Sequence, residues 1–138
     1  MTVVSILAVM LAAMAPSFIS FLAGQQCKAL SYDLLGDLML ARNEALKRNG
    51  SVSVASVGSG WAQGWTVAAT GGEALGHRNA AAQSVTVSGA PAVITFDANG
   101  RVAAPLASVR ITVSGSSSSR CIALDPSGRA RTSVGVCT

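Results

Sequence analysis

From Met1 to Gln26 the chain carries no charged side chain, and no other feature limits its fold as strongly. The run Met1 to Ala23 reads MTVVSILAVMLAAMAPSFISFLA. As a helix rising about 1.5 Å per residue it reaches about 34 Å, enough to cross a bilayer core of about 30 Å. A helix lying on a small soluble domain keeps a polar face, and this one has almost none. Beyond Lys28 the sequence is that of a soluble domain. The expectation is an apolar stalk holding a folded head.

Three readings of the stalk compete. Ala13-Met14-Ala15 offers a small-x-small cleavage site, as in a secretory signal. Against it, no Lys or Arg precedes the run, a proline follows the proposed cut, and the run continues through Phe18, Ile19, Phe21 and Leu22. A plain single-pass anchor is the second reading. The third is a helix that first spans a membrane and later packs among identical or related helices, and the rest of the chain favours it. Pro16 is expected to interrupt the stalk and bend its axis.

From Lys28 to Arg48 the pattern turns amphipathic. Leu30, Leu34, Leu38, Ala41 and Ala45 recur on one helical face, with Asp33, Asp37, Glu44 and Lys47 largely on others. Leu35, Met39 and Leu46 widen the apolar stripe, and Asn49-Gly50 supplies a stop. The expected division is 1–26 as the membrane or filament-core half of one long helix, and 27–138 as the head. In the head, the half-helix 28–48 lies on antiparallel strands drawn from 51–138. The fold class is α+β.

Alternating or β-branched runs place strands at Ser51–Val57, Thr66–Ala69, Val85–Val87, Val93–Phe96, Ser108–Val113 and Cys121–Leu124. Trp61 to Trp65 crosses a turn, Gly71-Gly72 breaks the chain, and Glu73 to Gln83 is hard to read. Gly115 with Ser116 to Ser119 is a flexible polar loop. One echo stands out. Ile94 to Arg101 and Ile122 to Arg129 share the form I-x-[F/L]-D-x-x-G-R, a strand, an Asp-initiated turn closed by Gly, and an arginine entering the next strand.

The net charge of +4 is carried entirely by the last third, where Arg101, Arg110, Arg120, Arg129 and Arg131 face the single acid Asp125. All five are arginines, whose planar fork suits phosphate better than the point charge of lysine. Cys121 and Cys137 close a loop of about 17 residues, worth about 3 kcal/mol as a disulfide. Such a bridge implies an oxidising compartment. Cys27, at the junction of stalk and head, reads as a small buried apolar residue.

Enzyme chemistry finds no footing here. His77 has no companion ligands at metal-binding spacing, and it reads as a surface loop residue. The single histidine offers no triad partner for any of the serines. Gly58-Ser59-Gly60 with Gly64 misses the dinucleotide spacing, and no P-loop is present. No catalytic residue, metal or cofactor is expected. What remains is Gly128-Arg129-Ala130-Arg131. Residues two apart in a strand stand about 6.6 Å apart on one face, so two guanidinium groups at a hairpin can grip a phosphate backbone without reading bases.

These residues carry a resemblance. The chain is similar to minor pilins of type IV pili and the related type II secretion pseudopilins of the GspH/FimT kind. The likeness runs through the stalk ending Ala15-Pro16-Ser17-Phe18 and the block Asp37-Leu38-Met39-Leu40-Ala41-Arg42-Asn43-Glu44-Ala45-Leu46-Lys47-Arg48-Asn49. It continues through Trp61-Ala62-Gln63-Gly64-Trp65, Ile94 to Arg101, and Cys121 with Cys137. The resemblance implies an inner-membrane anchor with a periplasmic head in a Gram-negative bacterium. The stalk then packs in an extracellular pilus with other major and minor pilins. FimT-like members bind DNA for natural transformation through a C-terminal G-R-x-R, which falls here on Gly128, Arg129, Ala130 and Arg131. Arg101, Arg110 and Arg120 extend the candidate patch by charge. Aligned on Ala15 to Phe18, the family's basic leader, cleavage site and glutamate would fall ahead of Met1. The alternatives are a structural minor pilin that primes assembly, and a type II secretion pseudopilin that contacts a secreted protein.

Overall fold

The computed structural model describes residues 2–81, 84–102, 108–113, 117–135 and 137; the side chains of residues 2 and 5–17 fall outside that description. Helix α1 spans Thr2–Arg48, 47 residues and about 70 Å long. Its backbone continues through Pro16 without a break, contrary to the expected interruption. A single proline removes one backbone hydrogen bond, and the turns on either side carry the helix past it. The helix ends where the sequence says it should. Asn49 adopts φ 49°, and the Gly50 amide reaches back to the Ala45 carbonyl at 3.1 Å, a left-handed cap that satisfies one of the last free carbonyls. Lys47 and Arg48 in the final turn suit the negative end of the helix dipole.

Ala23, Cys27, Leu30, Leu34, Leu38, Ala41 and Ala45 are buried against the head. Toward the N-terminus the situation reverses. Val3, Val4, Phe18, Ile19, Phe21 and Leu22 are all exposed, so these apolar side chains of α1 are left uncovered by the head. Among the described residues no helix is long and apolar enough to cross a membrane. The run on which that expectation rests falls largely on residues 5–17, outside the described side chains.

The head contains β1 (Val52–Ser56), β2 (Trp65–Ala69), β3 (Ala74–Arg78), β4 (Val85–Ser88), β5 (Val93–Phe96), β6 (Val109–Val113), β7 (Ser119–Leu124) and β8 (Ala130–Val134). They form two antiparallel four-stranded sheets, ordered β3-β2-β1-β5 and β4-β6-β7-β8. Both sheets lay their apolar faces on α1. Val52, Val54, Val67, Ile94 and Phe96 do so from the first, and Val109, Ile111, Ile122 and Leu124 from the second. The alternation of these residues with Ser, Thr and Arg is the period of a half-covered sheet.

Two local readings are corrected. Strand β3 lies inside the stretch that gave no clear pattern and contains His77, placed by the sequence in a loop. It is an edge strand with no fully buried residue, so it lacks the alternation that marks a covered one. Strand β7 begins at Ser119, two positions before Cys121. Of the polar loop before it, Gly115 and Ser116 lie outside the described residues.

The W-x-x-G-W block is a joint between helix and sheet. The Trp65 indole nitrogen donates to Asp37 Oδ2 at 2.8 Å. Trp61 Nε1 donates to the Pro91 carbonyl at 2.8 Å, with the two ring centroids 6.1 Å apart. Gly64, at φ 104°, passes so near the Arg78 carbonyl that a Cβ would overlap its oxygen. Cys121 and Cys137 form the disulfide, their Cα atoms 5.1 Å apart. Cys27 is buried, its Sγ 3.5 Å from the Ser118 carbonyl, and burial pushes its thiol pKa up.

Candidate nucleic-acid interface

The two echoed segments fold as the same turn. Gly100 and Gly128 each donate to the carbonyl of the aspartate three residues earlier, Asp97 and Asp125, at 2.8 Å. The Asp97 and Asp125 amides in turn donate to the Arg101 and Arg129 carbonyls at 2.8 and 3.0 Å. The glycines hold φ of 69° and 78°, a region that other residues enter only with strain. Asp97 Oδ1 also accepts the amides of Asn99 and Arg101, at 2.9 Å each.

The turns stack on one another. The Val102 amide donates to the Pro126 carbonyl at 3.2 Å. Gly128 lies against the Gly100 carbonyl with no room for a side chain. Arg42 of α1 completes the contact, its Nε donating to Gly100 O at 3.1 Å. The strands β5 and β7 that lead into the turns belong to different sheets, so Arg101 and Arg129 leave neighbouring turns on opposite sides of the seam. Both are exposed.

The other arginines divide by strand parity. Arg110 and Arg131 alternate with the core-facing residues of β6 and β8 and stand on the outer face of the second sheet. Arg120 does not join them. It shares the inward parity of Ile122 and Leu124, and its guanidinium carbon sits 5.7 Å from the Tyr32 ring centroid on α1, a cation–π distance. Arg101 and Arg129 thus follow the stacked turns, Arg110 and Arg131 share the outer face of the second sheet, and Arg120 turns toward the helix.

Charge is segregated across the head. Asp33 and Asp37 hold Arg78 at 3.5 and 3.6 Å, and Glu44 holds Lys47 and Arg48 at 3.4 and 2.7 Å. Glu73 closes on Arg48 as well. The hydrogen bonds from Arg48 hold both Glu44 and Glu73 below their ordinary pKa. Four of the six acids are thus used near the first sheet. Of the other two, Asp97 accepts backbone amides. Asp125 Oδ2 stands 3.4 Å from an Arg131 terminal nitrogen, with both side chains largely exposed. Among the described residues, Arg42, Arg101, Arg110 and Arg129 face no carboxylate at ion-pair distance. No group of three or more His, Cys, Asp or Glu side chains is placed to hold a metal, again among the described residues.

Sequence reasoning missed Arg42. Its signal was its place on α1 directly after the core position Ala41.

The family profile described as Type II transport protein GspH matches residues 32–128. The chain belongs to the GspH family. Two crystal forms of the type IV minor pilin FimU from Pseudomonas aeruginosa share the fold. The first aligns at 22% identity over 79% of this chain and 89% of that one, with a TM-score of 0.69. The second aligns at 21% identity over 77% and 91%, with a TM-score of 0.65. No curated protein matches the sequence. A long helix packed on antiparallel sheets is thus the pilin-like architecture of this GspH-family chain. The family match ends at Gly128, so Arg129 and Arg131 lie just beyond it.

Proposed function

We propose that this GspH-family protein is a minor pilin of a type IV pilus that binds extracellular DNA, without sequence preference, for uptake. The observation that supports the reading is the charge segregation. Acids neutralise the cations near the first sheet, while the stacked turns present Arg101 and Arg129 with no carboxylate at ion-pair distance among the described residues and Arg131 in only a weak exposed pair. A positive surface set on tight turns suits the regular charge of a phosphate backbone. Residues 1–26 serve as the inner-membrane anchor before assembly and as the filament-core half afterwards, with 27–138 as the head. The exposed Phe18, Ile19, Phe21 and Leu22 fit that role, since an apolar rod of this size needs lipid or other pilin helices to cover it.

The test is a titration of detergent-solubilised full-length chain against labelled duplex DNA at several salt concentrations. The expected log–log slope is about −0.9 per neutralised phosphate, and the Arg129→Gln/Arg131→Gln double variant is expected to abolish binding without a change in melting temperature. Salt-independent binding, or full binding by the double variant, overturns the reading. The structural minor pilin that primes assembly would then remain.

A further inference from the structure

Resting on the DNA-binding reading, we propose that Arg42 supplies a further phosphate-binding guanidinium to the same surface, carried there by the stalk helix. Arg42 is held in place before any ligand arrives. Its Nε–H is used on Gly100 O at 3.1 Å, and a Cβ on Gly128 would press to 3.0 Å from that same nitrogen. The two glycines of the stacked turns therefore form the slot in which the guanidinium lies.

Only one of the five N–H donors of a guanidinium is consumed by this contact. The two terminal nitrogens have no protein partner among the described residues, and neither is buried. Arg42 as a whole is half-buried. The acids of its own helix are engaged elsewhere, Asp33 and Asp37 on Arg78 and Glu44 on Lys47 and Arg48. Asp97, in the adjoining turn, gives its Oδ1 to backbone amides.

Position completes the case. Arg101 and Arg129 each follow by one residue, about 3.8 Å along the backbone, the glycine that Arg42 touches. A guanidinium already fixed by packing loses little freedom when it closes on a phosphate. A residue that merely pinned the Gly100 carbonyl would need a single neutral donor and no charge. The surface that meets the phosphate backbone is therefore composite, built from the helix and from both sheets.

The experiment uses full-length chain in detergent, a short labelled duplex and a salt series, with the variants Arg42→Gln and Arg42→Lys. For the Gln variant the expected result is a log–log slope shallower by about 0.9 and an affinity lower by several-fold at low salt. Arg42→Lys, which keeps the charge, is expected to restore the slope. In unaltered protein, bound DNA is expected to shield Arg42 from phenylglyoxal, read by mass spectrometry, so the test holds even where a variant folds poorly. Loss of binding in Arg129→Gln/Arg131→Gln, with an unchanged slope in Arg42→Gln or an unshielded Arg42, overturns this inference and leaves the DNA reading standing. Failure of the unaltered chain to bind DNA removes both.

Discussion

Asp125 Oδ2 stands 3.4 Å from a terminal nitrogen of Arg131, across the foot of the hairpin that joins β7 to β8. Both groups are well exposed, and pairs of this kind contribute less than about 1 kcal/mol in water. Among the described residues it is the one carboxylate at ion-pair distance from Arg129 or Arg131, and so the one placed to compete with a phosphate on the proposed surface.

Removing that competitor is expected to strengthen DNA binding. Asp125→Asn keeps the size of the side chain and leaves the backbone bonds of the turn in place. We expect affinity at low salt to rise by several-fold, a gain that shrinks as salt screens the surface, with a melting temperature close to that of the unaltered chain. Unchanged or weaker binding would show that Arg131 is not part of the contact.

The seam between the turns yields a second prediction. Gly128→Ala puts a Cβ into the Gly100 carbonyl and forces alanine to φ 78°. The expected loss is about 2–3 kcal/mol of stability, together with weakened DNA binding as the turns part. Gly71→Ala is the control. Its φ of 105° carries backbone strain, but open space surrounds the added methyl, so about 1–2 kcal/mol is expected and DNA binding is retained. Equal effects of the two substitutions on stability and binding would refute the stacking of the turns as the basis of the site.

Acid stability follows from Arg48. Its hydrogen bonds depress the pKa of Glu44 and Glu73 below the ordinary value of 4.5. A carboxyl with a folded pKa lower than its unfolded one stabilises the fold above the unfolded value, and that contribution is lost as pH falls through the folded value. The melting temperature of the unaltered chain is therefore expected to fall with pH below about 4.5 more steeply than that of Arg48→Gln. Parallel pH profiles for the two proteins would show that the β2–β3 hairpin is not tied to the helix end by these charges.

Much of the fold was legible because its signals are local. The heptad-like recurrence of Leu30, Leu34, Leu38, Ala41 and Ala45 named the face of α1 that the head covers, and Asn49-Gly50 marked its end. The repeated D-x-x-G-R spelled two identical turns, and the spacing of Cys121 and Cys137 foretold their bridge. Strand β3 escaped notice because an exposed edge strand has no buried face to impose a period on Ala74 to Arg78. Arg101, Arg129 and Arg131 were legible from their turns, but Arg110 and Arg120 were visible only as charge. The sequence reading began β7 at Cys121, so it missed that Arg120 lies in the strand and turns inward to Tyr32.

By itself the sequence determined the apolar rod, the turn chemistry and the excess of positive charge, because each arises from residues adjacent or one helical turn apart. Only the tertiary structure decided that two distant turns would stack on Arg42. It also decided that Asp33, Asp37, Glu44 and Glu73 would be used near the first sheet. The reason is range: ion pairs and van der Waals contacts act across a few ångströms of space, whatever the distance along the chain. Which charges remain free for a ligand is settled only when the sheets close on the helix.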